Sequence, residues 1–161
     1  MAILKTANGH GKYRDLSTKK DVVDYILNKD KLRNNYWGCI KVNPADPALS
    51  MQEVSKFYGK ENGVQIRHII VSFTQAETID PAVVSAIANE FMCWLGGNYQ
   101  AVYGVHENTE NLHFHLAFNS VSYVTGERYK GTRSEHYLML NVLKSISRKY
   151  GIYTVCYGGN I

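Results

Sequence analysis

The chain has 161 residues, 45% of them hydrophobic, and a formal net charge of +4. This length suits one domain with its own core, and we expect a single domain over residues 1–161. No apolar run approaches the roughly 20 residues that cross a bilayer, and no N-terminal stretch resembles a secretory signal, which argues against membrane-spanning and exported classes. Three widely spaced cysteines without a paired pattern favour reduced thiols in the cytoplasm.

Positive charge is concentrated at the start of the chain. Residues 1–41 hold nine lysines and arginines against four aspartates, whereas the remainder is close to neutral. A basic segment favours a polyanionic partner, and the 12 tyrosines offer stacking surfaces for single-stranded bases. In this segment we predict DNA contacts by Lys19, Lys20, Lys29, Lys31 and Arg33.

The first elements are predicted as a short strand and an amphipathic helix. Residues 2–7 suit the strand. Thr18 followed by Asp21 resembles a capping box, which opens a helix to about Asp30. Tyr25 lies beside the apolar stripe of this helix, so its ring can pack while its hydroxyl emerges. The stripe consists of Val22, Val23, Ile26 and Leu27.

The middle of the chain predicts two strands around a short helix. Tyr36–Val42 and Gln65–Phe73 are β-prone runs, and the second reads as a central strand. Ser50 with Glu53 resembles another capping box, which predicts a helix to about Tyr58.

Two long helices are predicted around a hairpin in the second half. Asp80 followed by proline begins the first, which ends near Leu95 before two glycines. Ser134 begins the second, which runs to about Lys149, and Ile152–Tyr157 is a final strand candidate. A basic stretch before the second helix adds three predicted DNA contacts, Arg128, Lys130 and Arg133.

The hairpin is the most informative stretch. Two apolar runs, Tyr99–Val105 and Leu112–Val121, flank a polar turn. Side chains of the second run alternate between the two faces of a strand. One face is apolar and consists of Leu112, Phe114, Leu116 and Phe118. The other face carries His113, His115, Ala117 and Asn119.

Three imidazoles are expected to converge on this hairpin, because His106 ends the first run opposite His113 and His115. Neutral imidazole is a common ligand of catalytic divalent metals, and three protein ligands leave positions open for substrate. A structural zinc site would add a fourth Cys or His, and no cysteine is nearby in sequence. Glu107 and Glu110 in the turn are candidate supporting or acid–base groups.

Long helices beside hairpin-connected strands predict an α+β fold. We expect a central antiparallel sheet with helices packed on one face and the other face left for the site.

The histidine pattern also carries a family resemblance. His106-x6-His113-Phe-His115, followed by an apolar run and Asn119, resembles the third motif of relaxases, the mobilisation nucleases of the HUH endonuclease class. Gln65–Phe73, which contains His68, resembles the second motif, and the stretch around Tyr25 resembles the first. Within this class the chain resembles the MobP-like relaxases, and the resemblance covers nearly all of it. It implies a ferredoxin-like palm and the N-terminal nuclease domain of a longer protein.

The resemblance also implies a chemistry. Tyr25 would be the nucleophile that nicks and rejoins one DNA strand through a 5′-phosphotyrosyl intermediate. The histidines would hold Mg or Mn in use, although Zn or Ni would also bind three imidazoles. His68 and Asn119 would be supporting groups. The implied partners are single-stranded or hairpin origin-of-transfer DNA, an accessory relaxosome protein and a coupling protein in the bacterial cytoplasm.

Other readings remain open on the sequence alone. A rolling-circle replication initiator shares the histidine pair, but its tyrosine usually follows that pair, so Tyr137 would be its candidate nucleophile. Tyr36, at the start of a predicted strand, is a rival to Tyr25 within the relaxase interpretation. A non-catalytic DNA-binding module with a metal site, or a hydrolase of small phosphoesters, would need no tyrosine. Either His68 or a glutamate of the hairpin turn would assist proton transfer.

Overall fold

A computed structural model describes residues 2–6, 13–74, 79–107 and 110–155. The described elements follow one another in this order: β1 (Ala2–Thr6), α1 (Thr18–Ile26), β2 (Leu32–Ile40), α2 (Pro47–Phe57), β3 (Ile66–Phe73), α3 (Pro81–Leu95), β4 (Ala101–His106), β5 (His113–Asn119), α4 (Arg133–Lys149) and β6 (Thr154–Val155).

The strands of the described residues form one sheet in the order β2-β4-β5-β3-β1-β6. Neighbours pair antiparallel except β1 and β6, which are parallel. The hairpin strands β4 and β5 therefore lie in the middle of the sheet, where both are fully buried. This confirms the predicted α+β fold with a central antiparallel sheet.

Helices cover both faces of the sheet, so the expectation that they would pack on one face is wrong. The larger core joins α3 and α4 to the apolar face of the strands, which includes Phe114, Leu116 and Phe118. A smaller core joins α1 and α2 to the opposite face. The reason lies in the histidine-bearing face itself. Farther along the strands this face becomes apolar, at Val102 and Ala117, and the stripe of α1 buries that patch.

Several predicted helix boundaries need correction. The Thr18 hydroxyl donates to the Asp15 carbonyl at 2.5 Å and caps nothing, and α1 ends four residues earlier than expected. The second helix begins at Pro47 with Asp46 as its N-cap, whose carboxylate accepts from the Leu49 amide, and not at Ser50. An Asp-Pro pair, the signal recognised correctly at α3, was therefore present here too.

The end of the chain follows the prediction more closely. A capping box formed by Thr132 and Glu135 opens α4, which begins at Arg133, one residue before the predicted start at Ser134. The final strand is short, and residues 156–157 of its predicted range lie outside the described part, as do residues 108–109 of the hairpin turn. No helix of the described residues is long and apolar enough to span a membrane.

Candidate active site

Three histidines meet on the face of the sheet covered by α1. His106 pairs directly with His113 across β4 and β5, and His115 lies opposite Gly104 one step along the hairpin. All three are buried. One ring nitrogen from each lies within 4.8 Å of the other two. The strand pairing thus produces the convergence that the sequence predicted.

Two of these rings are oriented by backbone carbonyls. The His106 Nε2–H donates to the Ile26 carbonyl at 2.8 Å, and the His113 Nδ1–H donates to the Asn111 carbonyl at 2.9 Å. With the tautomers assigned from these partners, the lone pairs lie on His106 Nδ1 and His113 Nε2. Ring orientation through the second nitrogen is the usual arrangement of histidine metal ligands.

The third ring is oriented by another histidine. His115 Nδ1 and His68 Nε2 are 2.8 Å apart, and the Tyr13 hydroxyl is 3.5 Å from His68 Nδ1. A lone pair on His115 Nε2 requires that His115 Nδ1–H donate to His68. His68 then carries its proton on Nδ1, towards Tyr13.

The donor set fits a divalent metal. His106 Nδ1 and His115 Nε2 are buried and have no hydrogen-bond partner among the described residues. Unpaired buried nitrogens are costly, and an ion bound between them would satisfy both. Three nitrogens at about 2.1 Å from an ion lie about 3.0–3.4 Å apart, so modest ring rotations close the group around it.

Burial favours the neutral form of His115, His68 and His106. It lowers the pKa of His115 to about 2, helped by the neighbouring histidines, and the pKa of His68 to about 4, helped by His106. Burial also lowers the pKa of His106. A histidine ligand must be the neutral imidazole, and the lowered pKa values favour this form of His106 and His115 at neutral pH.

Tyr25 packs against the histidines from above. Its ring centroid is 5.2 Å from that of His115, in an edge-on arrangement, 5.8 Å from that of His106 and 6.3 Å from that of His68. The side chain is 40% exposed, so it borders both the histidine group and solvent. The predicted nucleophile and the predicted ligands therefore occupy one site.

The close approach of α1 depends on a glycine. A Cβ at Gly104 would lie 2.6 Å from the Ile26 carbonyl oxygen and 2.7 Å from a methyl group of Leu32. Real Cβ atoms do not approach backbone oxygen this closely, so only glycine lets the end of α1 touch β4. That contact brings the Ile26 carbonyl to His106 and the Tyr25 ring over the histidines.

Comparison with known families agrees with this geometry. The family model described as relaxase, MobA/VirD2-like, nuclease domain, matches residues 25–152. The chain belongs to this family. Family membership and the three-histidine group together indicate divalent-metal binding by the relaxase domain.

Individual relatives are more distant. The domain is 26% identical to protein rlx of Staphylococcus aureus over 103 residues, which cover 64% of this chain and 32% of the relative. It is 42% identical to protein MobA of Acidithiobacillus ferrooxidans over 57 residues, 35% of this chain and 14% of the relative. Protein TraI of Escherichia coli is 29% identical over 112 residues, 66% of this chain and 15% of the relative. The chain spans about a third or less of the length of these proteins.

A solved structure also aligns with the relaxase domain. It comes from work on the molecular basis of vancomycin resistance transfer in Staphylococcus aureus, with a TM-score of 0.48 and 21% identity. The alignment covers 80% of this chain and 77% of that one.

The rival tyrosines lie elsewhere in the relaxase domain. Tyr36 packs against the larger core, on the face of the sheet opposite the histidines. Tyr137 is on α4, a helix that packs on that same opposite face. Neither side chain shares a face with the histidine group.

The three other predicted supporting residues differ in their surroundings. The Glu107 carboxylate forms an ion pair with Arg33. Glu110 is exposed and lines a surface depression together with these two residues. Asn119 is a correction, because it is buried six residues beyond His113, about 20 Å along the strand. Its amide donates to the Met51 carbonyl and to Gln100, which ties α2 to the sheet.

The eight predicted DNA contacts differ in burial. Lys20, Lys29, Lys130 and Arg133 are exposed, as expected. Lys31 and Arg33 are half-buried beside the site.

Lys19 and Arg128 are corrections to the predicted DNA contacts. Lys19 is fully buried on the inner side of α1, because it lies one turn before the apolar stripe, and its ammonium donates to Gln65. The Arg128 guanidinium donates to the backbone carbonyls of Val64, Lys60 and Asn62 and so ties together the loop before β3.

Four site features were missed in the sequence: Tyr13, Gly104 and the carbonyls of Ile26 and Asn111. Gly104 had a readable signal, since an isolated glycine within a strand pattern often marks a close backbone approach. Tyr13 lies between the predicted first strand and first helix, in a stretch without periodicity. A backbone carbonyl carries no residue-type signal at all.

Proposed function

We propose that this domain nicks one strand of DNA at an origin of transfer and rejoins it by transesterification through Tyr25. The activity would serve conjugative transfer or mobilisation of a plasmid or integrative element. The observation that supports it is the Tyr25 ring packed edge-on against His115, within 6 Å of His106. A nucleophile and a three-histidine metal centre in one half-exposed site are the parts that this reaction needs.

The reaction balances without another reactant. The Tyr25 oxygen attacks the scissile phosphorus, the bond from phosphorus to the 3′ oxygen breaks, and the proton released from tyrosine replaces the lost bond on that oxygen. The products are a 5′-phosphotyrosine and a free 3′-hydroxyl. Because the phosphodiester bond energy is retained, a 3′-hydroxyl can attack the phosphotyrosine and rejoin the strand.

The metal would be held by His106, His113 and His115. When bound, it supplies a Lewis acid that polarises a nonbridging phosphate oxygen and orients the scissile phosphate. We propose Mg²⁺ or Mn²⁺ as the ion in use, while Zn²⁺ and Ni²⁺ would also bind the three imidazoles.

The surrounding residues hold this arrangement. His68 Nε2 accepts a hydrogen bond from His115 Nδ1–H and so keeps the lone pair on His115 Nε2 directed at the ion position. The half-exposed Tyr25 ring leaves its outer side open to a DNA strand. Burial of the imidazoles excludes water from beneath the ring, which strengthens the electrostatic interactions there.

The proposed substrate is single-stranded or hairpin origin DNA. The exposed or half-exposed cations on α1, in the following turn and at the start of β2 suit phosphate contacts: Lys20, Lys29, Lys31 and Arg33. Lys130 and Arg133 follow the other end of β5 and suit more distant phosphates. An accessory relaxosome protein and a coupling protein in the bacterial cytoplasm are the proposed protein partners.

A rolling-circle initiator is the less favoured alternative. Its nucleophile would be expected downstream of the histidines, and Tyr137 lies on a helix of the opposite face. A binding module or a small-phosphoester hydrolase would form no covalent DNA adduct, so a single assay separates both from the proposal.

The test uses labelled single-stranded oligonucleotides that tile the DNA around the coding sequence, incubated with the protein and Mn²⁺. We expect a covalent adduct on a denaturing gel, lost in Tyr25→Phe and in His113→Ala. Tyr13→Phe is the matched control, because this tyrosine is also near the histidines and contacts His68. An adduct that survives in Tyr25→Phe would contradict the assignment of the nucleophile. Metal binding without any adduct would favour the binding module.

A further inference from the structure

Lys31 makes a contact that the proposed chemistry has not used. Its ammonium nitrogen lies 3.9 Å from the centre of the Tyr25 ring, directly over the ring face. This is a close cation–π contact, in which the positive charge meets the negative face of the aromatic ring. The same ring meets His115 in a T-shaped contact with an interplanar angle of 84°. The Tyr25 ring thus contacts both an imidazole and an ammonium group.

The chain returns Lys31 to Tyr25 through a tight turn. The Asn28 carbonyl accepts from the amides of Lys31 at 3.0 Å and Leu32 at 3.1 Å, and the Asn28 side chain accepts from the Asp30 amide at 2.9 Å. Such Asx turns are stable local structures. Leu32 then enters β2 and packs over Gly104. Both ends of the turn are therefore anchored beside the histidine group.

This placement differs from that of an ordinary surface lysine. Lys31 is half-buried, whereas Lys29 in the same turn is exposed. Tyr25 is 40% exposed, so its ring needs lateral contacts to remain over the histidines. Among the described residues, Lys31 is the one cation that lies over the Tyr25 ring.

We propose that Lys31 is a positioning residue that holds the Tyr25 ring in its attacking orientation, through a contact that requires positive charge. This inference rests on the function proposed above. The same charge lies beside the place that the scissile phosphate must occupy when Tyr25 attacks it. Lys31 therefore acts on the rate of attack rather than on the overall affinity for DNA.

The experiment compares Lys31→Met, Lys31→Arg and Lys29→Met. The two methionine variants lose the same charge from the same turn, so non-specific effects on DNA affinity are matched. Adduct formation is followed under single-turnover conditions with Mn²⁺ and a saturating labelled oligonucleotide, and Kd for that oligonucleotide is measured by anisotropy. Thermal unfolding of each variant checks that it folds, and Lys31→Gln replaces Lys31→Met if the latter does not.

We expect Lys31→Met to lower the single-turnover rate constant about tenfold, a size typical of a partly buried cation–π contact. Its Kd should match that of Lys29→Met. Lys31→Arg should recover most of the rate, because a guanidinium also binds an aromatic face.

Three results would overturn the inference. Equal rates for Lys31→Met and Lys29→Met would remove the positioning role. A defect confined to Kd would make Lys31 a simple phosphate contact. Equal defects in Lys31→Met and Lys31→Arg would show that charge is not what matters. In each case the wild type still forms its adduct, so the proposed function survives. A wild type that forms no adduct would remove both.

Discussion

Lys19 shows how one buried side chain can make stability depend on pH. Its ammonium donates to the Gln65 backbone carbonyl at 2.6 Å and to the Gln65 side-chain oxygen at 2.9 Å. Burial lowers its pKa to about 7, helped by the positive charge of Arg128. A neutral amine still has enough hydrogens for both contacts, so the folded state tolerates the loss of the proton.

The sign of the pH effect follows from proton counts. Between the folded pKa of about 7 and the ordinary lysine value of 10.5, the unfolded chain binds a proton that the folded chain has released. The free energy of unfolding should therefore rise with pH across this window, by at most about 1.4 kcal/mol per pH unit. Lys19→Met should flatten the rise, as measured by denaturant unfolding from pH 6 to 10.

Lys20→Met is the matched control for this prediction. Lys20 is exposed and forms an ion pair with Asp24, so its removal should leave the slope unchanged. Parallel slopes for wild type and Lys19→Met would show that Lys19 keeps its proton when buried.

His68 should control metal affinity without being a ligand. It holds His115 Nδ1 at 2.8 Å, and loss of such an orienting partner typically weakens metal binding about 10–100-fold. We expect His68→Ala to weaken Mn²⁺ or Zn²⁺ binding by this amount in calorimetric titration. His136→Ala, on α4, should bind as the wild type does. Unchanged metal affinity in His68→Ala would mean that the His115 ring keeps its orientation without the contact to His68.

At the scale of elements, the position of α1 decides the site. Its apolar stripe packs on the sheet beside Val102 and Ala117, and its last residue touches β4 over Gly104. One helix end therefore supplies both the Ile26 carbonyl that orients His106 and the tyrosine that covers the group.

Gly104→Ala should separate the helix from the sheet. The added methyl group would meet the Ile26 oxygen at 2.6 Å, so the end of α1 must shift, at a cost of about 1–3 kcal/mol in unfolding free energy. We expect weaker metal binding and slower adduct formation than this loss of stability explains. The measurements are denaturant unfolding, metal titration and single-turnover rate.

Gly97→Ala provides the matched control for the change in β4. A Cβ there meets the Trp94 carbonyl at an ordinary 3.6 Å, and the site lies elsewhere. If Gly104→Ala keeps the metal affinity and rate of Gly97→Ala, the close approach of α1 does not matter to the site.

At the scale of the whole molecule, a bound ion should link the hairpin to the stability of the entire domain. An ion that binds only the folded state stabilises it by about 2.7 kcal/mol at 100 times its Kd. For a domain of this size, that corresponds to a rise in Tm of about 5–10 °C. We expect Mn²⁺ to produce such a rise and EDTA to reverse it.

His113→Ala tests whether the thermal shift comes from this site. The variant loses one of the three converging nitrogens, so Mn²⁺ should no longer raise its Tm. An equal shift in His113→Ala and wild type would place the stabilising ion at another position.

Short-range patterns allowed most elements of this protein to be predicted. The alternation in β5 correctly separated the apolar side chains from His113 and His115, because a strand directs successive side chains to opposite faces. Asp80-Pro81 marked the start of α3 for an equally local reason. The α1 boundary was less accurate, because the Asn28 turn competes with continuation of the helix.

By itself, the sequence determined the α+β class and the histidine hairpin, because both depend on residues close together in the chain, and its resemblance to relaxases added Tyr25 as the candidate nucleophile. Only the tertiary structure decided which side chains meet. It placed helices on both faces, buried Lys19, paired Glu107 with Arg33 and put Lys31 over Tyr25. These outcomes depend on how α1 packs against a sheet whose strands come from distant parts of the chain, and such packing has no local periodicity to read.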